Sequence, residues 1–523
     1  MGLTFYYLSL IALYARNHGL DPVPPCRFEE GMLPLVTIQL PIRNEGQLAV
    51  RVIRHAATLN YPGDRLEIQV LDDSDDETST IIQQEVERLR HQQSGLDINV
   101  IRRTTREGFK AGNLKNGLSR AKGELFAIFD ADFLIPRDFL RRTVHFFTDS
   151  RVGIVQARWS YLNRGKSRFT EFQATKLDAH QMFEQTARAR AGRWIHFHGS
   201  AGIIRKSALE DAGGWNWLSG TVEDVELSIR TNIKKWEIIY LDQLKVPSEL
   251  PETINGFLIQ QMRWKRGWIK LVKYYTGDIW KSDFPLLIRL DFVVRLLNTF
   301  GHALSLPFVL GALPAFLMAD QYGLRWLVFL EYTLLFVCST CIRLAEQRYV
   351  TPNIDSEKPV RKSGLSSFIP VGFILNLGMM WAQTQSTLEG FGQAQRWDVT
   401  PKSDRHLAQQ KAALPGYIVG TALLGVCAMG LFVVSLWTRH FLASGFYMFT
   451  MVGTAWVTTS FLVERFSSKT SISDSSFEVE PTNGRVDAHV DDVCDQIYKE
   501  DRTVSSSPGL YYGQLKAEVK ERV

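Results

Sequence analysis

Two aspartates one residue apart, Asp130 and Asp132, directly follow the apolar run Glu124-Leu-Phe-Ala-Ile-Phe129. Carboxylates at the end of a buried strand suit a hard, oxygen-loving cation, Mg2+ or Mn2+, that bridges protein and diphosphate and neutralises charge on a leaving group. An isolated Asp-x-Asp is more often a solvated turn. Three further polar clusters reverse that judgement. Pro41-Ile-Arg-Asn44-Glu45 follows Leu40, and Asp72-Asp73-Ser-Asp-Asp76 follows Leu71. Gly108-Phe-Lys110-Ala-Gly112-Asn113 opens a helix, where backbone N–H groups and a lysine can meet a phosphate.

Farther along, Thr221-Val222-Glu223-Asp224 precedes Val225-Glu-Leu-Ser-Ile-Arg230. Two readings are even from spacing alone: a Thr-capped helix with acids in its first turn, or a general base within reach of an attacking hydroxyl. Then comes Phe257-Leu-Ile-Gln260-Gln261-Met-Arg263-Trp264-Lys-Arg266-Gly-Trp268. Its aromatic and basic residues recur at helical spacing, which suits a helix lying on a membrane face. An indole is also a flat platform for a pyranose, while Gln and Arg can hold hydroxyls or a diphosphate.

The elements that must position these groups are short apolar runs alternating with amphipathic ones between Leu35 and about Pro251. Residues 35–40, 66–71, 97–101 and 124–129 read as strands, and 46–59, 78–92, 111–121 and 137–147 as helices. The fold class is α/β, a sheet of nucleotide-binding type, in which ligands sit beyond the carboxyl ends of the strands.

The second half changes character. Leu296–Ala319, Trp326–Ile342, Leu414–Trp437 and Phe441–Val463 each approach the ~20 residues needed to cross a bilayer. Phe368–Ala382 is shorter and interrupted by Pro370, Gly372, Asn376 and Gly378, so it reads as interfacial or re-entrant. The run Leu3–Tyr14 reads as a shortened first span. Basic residues between the runs, among them Arg343, Arg361, Arg396 and Lys402, place those loops and the α/β region in the cytosol. At 523 residues the chain suits two structural units and a tail. Its net charge of +5, set against 60 basic and 55 acidic residues, argues against nucleic acid as a partner. The five scattered cysteines suggest neither a zinc site nor a disulfide framework.

Together these residues resemble the processive members of family 2 of the inverting glycosyltransferases, the cellulose synthase-like group, and within it the cellulose synthase-like A proteins that include glucomannan and mannan synthases. The resemblance implies a cytosolic GT-A type (Rossmann-like) domain joined to an α-helical transmembrane bundle, in the plasma membrane or Golgi. It implies a hydrophobic segment over 1–30, a catalytic domain over 31–250, interface helices over 251–290, and spans over 291–465 with a gating loop at 389–413. The tail 466–523 is expected to be disordered.

By the same resemblance, Pro41, Asn44, Glu45, Asp72, Asp73, Lys110, Asp130, Gln260, Arg263, Thr400 and Lys402 contact the nucleotide sugar. Asp224 is the base beside Glu223, Asp130 and Asp132 hold Mg2+ or Mn2+, and Trp264, His198 and Gly199 meet the acceptor. Gln260-x-x-Arg263-Trp264 is the most specific match, and Trp397-Asp-Val-Thr400-Pro-Lys402 resembles the gating-loop motif. His196-Phe-His198-Gly-Ser200 departs from the family's more usual Phe-Asn-Gly-Thr. Glu331 and His302 fall in apolar runs, where contact with a translocating glycan competes with a bundle hydrogen bond. The activity implied is transfer from UDP-glucose or GDP-mannose to a growing β-linked polysaccharide at the lipid bilayer. A lipid glycosyltransferase and a nucleotide-sensing transporter are the rivals. Oligomeric state is not indicated.

Overall fold

Short runs rich in β-branched and other apolar side chains form the seven strands of one mixed sheet. They are β1 Val36–Ile42, β2 Leu66–Asp72, β3 Asp97–Arg102, β4 Leu125–Ile128, β5 Val152–Tyr161, β6 Gly202–Arg205 and β7 Glu237–Ser248, in the order β3-β2-β1-β4-β6-β5-β7. The computed structural model describes residues 2–17, 19, 21–218, 220–324, 326, 330, 365–392 and 414–473. Strands β3, β2, β1 and β4 run parallel, with Val36 opposite both Leu66 and Leu125. Strand β6 is antiparallel to β4 and β5, which turns the sheet's second half around. All four expected strands form within one or two residues of their predicted bounds. The helix expected over 137–147 is instead Phe139–Thr143 followed by a 3-10 turn, Val144–Thr148.

The sheet is buried on both faces. Ile38, Ile68, Ala127 and Ile203 face one core with Val52, Ile53 and Val86 of the covering helices. Phe126, Ile128, Ile204 and Leu227 face the other. A polar ladder also lies inside the sheet. Thr37 Oγ1 donates to Glu67 Oε2 at 2.6 Å, the Lys122 N–H donates to the same oxygen at 2.8 Å, and Gln39 Nε2 donates to Gln69 Oε1 at 3.0 Å. These bonds hold β1 against β2 and the turn entering β4, so the strand ends that bear Pro41, Asp72 and Asp130 keep a common level.

Helix Ile254–Lys281 runs 28 residues without a break from a Thr253 cap. Glu464, from the last apolar helix, accepts the N–H groups of Ile254 and Asn255 at 2.7 and 3.1 Å and closes its start. Two helices among the described residues are long and apolar enough to cross a membrane, Gly416–Trp437 and Ala443–Phe466. The run Leu296–Ala319 is not one straight span. It divides into helices Gly301–Leu310 and Ala312–Gln321, with Pro307 inside the first helix and Gly311 at the break. Leu286–Phe300 and Ala303–Leu310 form a pair bent by 52°.

The interrupted run 368–382 continues helix Leu365–Gly378 into Met380–Gly390. A Cβ on Gly378 would lie 2.3 Å from the Gly453 carbonyl, so glycine permits this close helix contact. Helix Gly2–Asn17 packs Leu10 and Tyr14 on Met182 and Phe183. All of the run Trp326–Ile342 except Trp326 and Leu330, so including Glu331, lies outside the described residues, as do the loop bearing Trp397, Thr400 and Lys402, the tail from residue 474 and the side chain of His302.

Glu67→Ala leaves Thr37 Oγ1 and the Lys122 N–H without their acceptor. At ~1–3 kcal/mol for each buried polar group so stranded, it is expected to lower the thermal midpoint of the purified chain by several degrees, read by intrinsic fluorescence. An unchanged midpoint would refute the role given to this ladder.

Candidate functional site

A cavity of about 930 Å³ opens at the carboxyl ends of β1, β2 and β4, follows helix Ile254–Lys281 and reaches the apolar helices at Ser305, Phe373 and Asn376. Pro41, Glu45, Asp73, Lys110, Asp130, Asp132, His198, Gly199, Glu223, Asp224, Gln260, Arg263 and Trp264 all border it. Residues 180 or more positions apart are thus brought to one space.

Each strand end contributes one group held by its own local chemistry. Asp73 is gripped by Arg103 through two bonds, Nε to Oδ1 at 2.8 Å and Nη2 to Oδ2 at 2.6 Å. The same guanidinium donates to the Glu107 and Phe109 carbonyls, both at 2.7 Å, and so folds the loop that delivers Lys110. Lys110 Nζ lies 2.5 Å from Asp130 Oδ1 and donates to the Gly199 carbonyl at 2.9 Å. Burial disfavours this ammonium, but Asp130 and Glu223 outweigh that and raise its pKa. The Asp130 N–H donates in turn to Ser200 Oγ at 3.0 Å.

Glu223 and Asp224 open helix Glu223–Ile233. Thr221 does not cap it. Val222 occupies the cap position with no side-chain bond, and Thr221 Oγ1 donates instead to the Arg263 carbonyl at 2.9 Å. The hydroxyl lies one residue too early for the cap, so it ties the acids to the long helix. Gly267 completes that contact, since a Cβ there would lie 2.7 Å from Thr221 Oγ1. Glu223 is buried, whereas Asp224 keeps an edge toward the cavity. Burial, and then the Glu223 charge, push the Asp224 carboxyl up to about 7. Burial also raises Glu223, against the pull of Lys110.

The segment 196–201 separates the two acidic pairs. The His198 N–H donates to Gln156 Oε1 at 2.9 Å, and Gln156 Nε2 donates to the Ser200 and Ala201 carbonyls at 3.1 and 3.2 Å. The Phe197 N–H donates to Ser228 Oγ at 2.8 Å, and that hydroxyl donates to the Asp224 carbonyl at 2.7 Å. Gly199, at φ +82°, is the point of closest approach: a Cβ there would lie 3.0 Å from Asp224 Oδ2.

Two expected residues stand off the cavity wall. Asn44, at φ +55°, trades hydrogen bonds with Asp75, Nδ2 to Oδ1 at 2.7 Å and Oδ1 from the Asp75 N–H at 3.0 Å. Asp72 accepts from the Ser74 N–H and Ser79 Oγ at 2.9 and 2.7 Å, and so shapes the turn that presents Asp73. Arg103, Gln156 and Ser228 escaped the sequence reading, since the contacts that tie them to the site reach 30, 45 and 31 positions along the chain and no local pattern marks them.

The model of the family described as "Glycosyltransferase like family 2" matches residues 34–267, the stretch that carries the sheet and the cavity's polar wall. Residues 34–267 thus match a family 2 glycosyltransferase domain. Glucomannan 4-beta-mannosyltransferase 1 of Oryza sativa subsp. japonica is 36% identical over 327 residues, 60% of this chain and 61% of its own. Glucomannan 4-beta-mannosyltransferase 9 of Arabidopsis thaliana is 37% identical over 336 residues, 60% and 62%. The chain thus spans about three fifths of the length of these curated relatives. A solved mannosyltransferase, PcManGT of Pyrobaculum calidifontis in complex with GDP-Man and Mn2+, covers 74% of this chain and 94% of its own at 19% identity and a TM-score of 0.47. That likeness is too loose to bear on donor or metal. The family 2 domain matches the group expected from the motifs.

Gly199→Ala strains the backbone of the family 2 domain at a positive φ and pushes toward Asp224. It is expected to cost at least about 1 kcal/mol, measured by thermal unfolding, and an unaltered midpoint would show that the approach to Asp224 is not tight.

Proposed function

We propose that the chain is an inverting, processive hexosyltransferase that extends a β-linked mannan, glucan or glucomannan from a nucleotide sugar, GDP-mannose or UDP-glucose. The observation that carries this reading is the shared cavity: Lys110, Asp130 and Asp132 on one wall, Asp224 on another, and Trp264 on the helix leading to the apolar bundle. The names of the curated relatives favour a mannosyl donor. In this reading residues 31–250 are catalytic, 251–290 lie at the membrane face, and 291–465 form the membrane part with the loop 389–413 as a gate that brings Thr400 and Lys402 to the diphosphate. The enzyme is placed in the plasma or Golgi membrane with its active site in the cytosol.

The acceptor's terminal hydroxyl attacks the anomeric carbon from the side opposite the phosphate. A C–O bond forms there as the bond to the diphosphate breaks, and the electron pair leaves on the phosphate oxygen. Asp224 takes the hydroxyl's proton. A carboxyl raised to about 7 is roughly half ionised near neutral pH and, once ionised, is basic enough to accept that proton. Lys110 is placed to face the phosphates, its charge secured by Asp130. The half-buried Trp264 offers its indole face to the terminal sugar. Asp130 and Asp132 offer only carboxylate oxygens, a donor set that fits Mg2+ or Mn2+. A cation held there would supply charge neutralisation at the departing diphosphate.

The cavity's continuation past Trp264 to Ser305, Phe373 and Asn376 supports a path for the growing chain into the apolar helices. Product that stays one sugar long and partitions with lipid would instead favour a lipid glycosyltransferase.

Purified full-length chain incubated with Mn2+ and separate nucleotide sugars is expected to make polymer that a linkage-specific hydrolase digests. Asp224→Asn should lower kcat by about 10²–10⁴ while donor affinity, measured by calorimetry, stays within a few-fold. Retention of more than a tenth of wild-type turnover would eliminate Asp224 as the base. The pH dependence has a definite sign. The base works only when ionised and its pKa is raised, so kcat should be low below about 7 and rise to a plateau above it. A plateau already reached at pH 5 would contradict the burial argument.

A further inference from the structure

The departure His196-Phe-His198 finds a partner in the fold. Residues Ala179–Gln185 form a π-helix between helices Arg168–Asp178 and Thr186–Arg190. This wider turn, a form common at functional sites, brings His180, Glu184 and Gln185 to the segment 196–198. The imidazole rings lie 4.9 Å (His196 to His198), 5.5 Å (His180 to His196) and 5.8 Å (His180 to His198) apart between centroids. Among the described residues, the ring nitrogens of these three histidines form a group lying within 4.8 Å of one another.

One atom sits at the focus of that group. Gln185 Nε2 is 2.7 Å from His198 Nε2, 3.1 Å from His196 Nδ1 and 3.4 Å from His180 Nε2. An amide nitrogen has two N–H groups and cannot satisfy three ring nitrogens. Gln185 is fully buried and its Oε1 has no hydrogen-bond partner, and the same holds for buried His198 Nδ1. Stranded polar atoms around a convergence of three nitrogens mark a place for a ligand that accepts lone pairs rather than one that donates protons.

We propose that His180, His196 and His198 form a transition-metal site of the zinc class, separate from the Asp130 and Asp132 pair. Imidazole suits Zn2+, Ni2+ or Cu2+, whereas the all-carboxylate pair suits Mg2+ or Mn2+. Three histidine nitrogens with a fourth position open to water, or to Gln185 Oε1 once the amide turns over, is a common zinc arrangement. His196 and His198 are buried, with Arg295 nearby. Arg188 and Arg295 oppose a cation. Glu184 offsets them: its Oε2 lies 3.4 Å from His180 Nδ1 and 3.0 Å from Arg188 Nη2, the carboxylate-to-histidine relay typical of metal sites. A metal here would fix the segment that ends in Gly199, and with it the wall against Asp224.

The test uses the full-length chain, purified on a tag without histidine, stripped with chelator and dialysed against Zn2+ or Co2+. One equivalent of zinc is expected to remain by mass spectrometry, and Co2+ should give the visible absorption of a nitrogen-ligated tetrahedral ion. Asp132→Asn should leave that equivalent in place. His180 is about one third exposed, so His180→Ala should fold, and it should weaken zinc by at least about tenfold, the smallest loss usual even for outer partners. Gln185→Glu, which adds a carboxylate at the focus, should tighten zinc by a similar factor. The proposal fails if no equivalent is retained, if zinc follows Asp132 rather than His180, or if neither variant shifts the affinity. The readout is metal content, so it stands apart from whether the chain transfers sugar.

Discussion

A single ammonium among carboxylates holds the polar end of the cavity together. Lys110 faces Asp130 directly and acts electrostatically on Glu223 and Asp224. Without that charge, Glu223 and Asp224 would lose the cation that favours their ionised forms and would shift further toward neutrality. With it, Asp130 stays at the strand end and the Glu223 and Asp224 pair can titrate as a unit. The lysine depends on an unlike scaffold: Arg103 folds the loop before it, and the Gly199 carbonyl receives its second hydrogen bond. The sheet sets the level of these parts, and the loop between β5 and β6 sets their spacing.

Short apolar runs exposed the first four strands and the carboxyl-end position of Asp73 and Asp130, because each lies next to its own run. The Gln260-x-x-Arg263-Trp264 motif was noticed by resemblance, and its residues share one helix and border the cavity. Contacts between distant segments were not legible. Gln156 supports 198–201 from a neighbouring strand, and nothing around it in the chain distinguishes it from any other buried glutamine. Thr221 misled in a different way. Its residue type suited a helix cap, but a register one position off gave its hydroxyl to helix Ile254–Lys281. The apolar runs showed where helices would form and concealed where they break, since Pro307 and Gly311 lie within uninterrupted hydrophobicity.

The histidine cluster illustrates the limit most clearly. His180 drew no reading from the sequence, and His196 and His198 stood out only as a departure from the family's pattern. Only the π-helix, whose extra residue per turn has no pattern in composition, rotates His180 and Gln185 onto the other two.

Glu464 has a mechanical meaning. Its carboxylate takes two backbone N–H groups at the start of helix Ile254–Lys281, charge-assisted bonds that contribute ~1.5–3 kcal/mol apiece. Helix Gly416–Trp437 reaches the same place through Tyr417, whose hydroxyl donates to Asn255 Oδ1 at 2.9 Å. The shelf that carries Trp264 is therefore keyed to both apolar helices at its base. Tilting either helix while the shelf stays still would break those bonds, so the shelf and this pair of apolar helices behave as one lever.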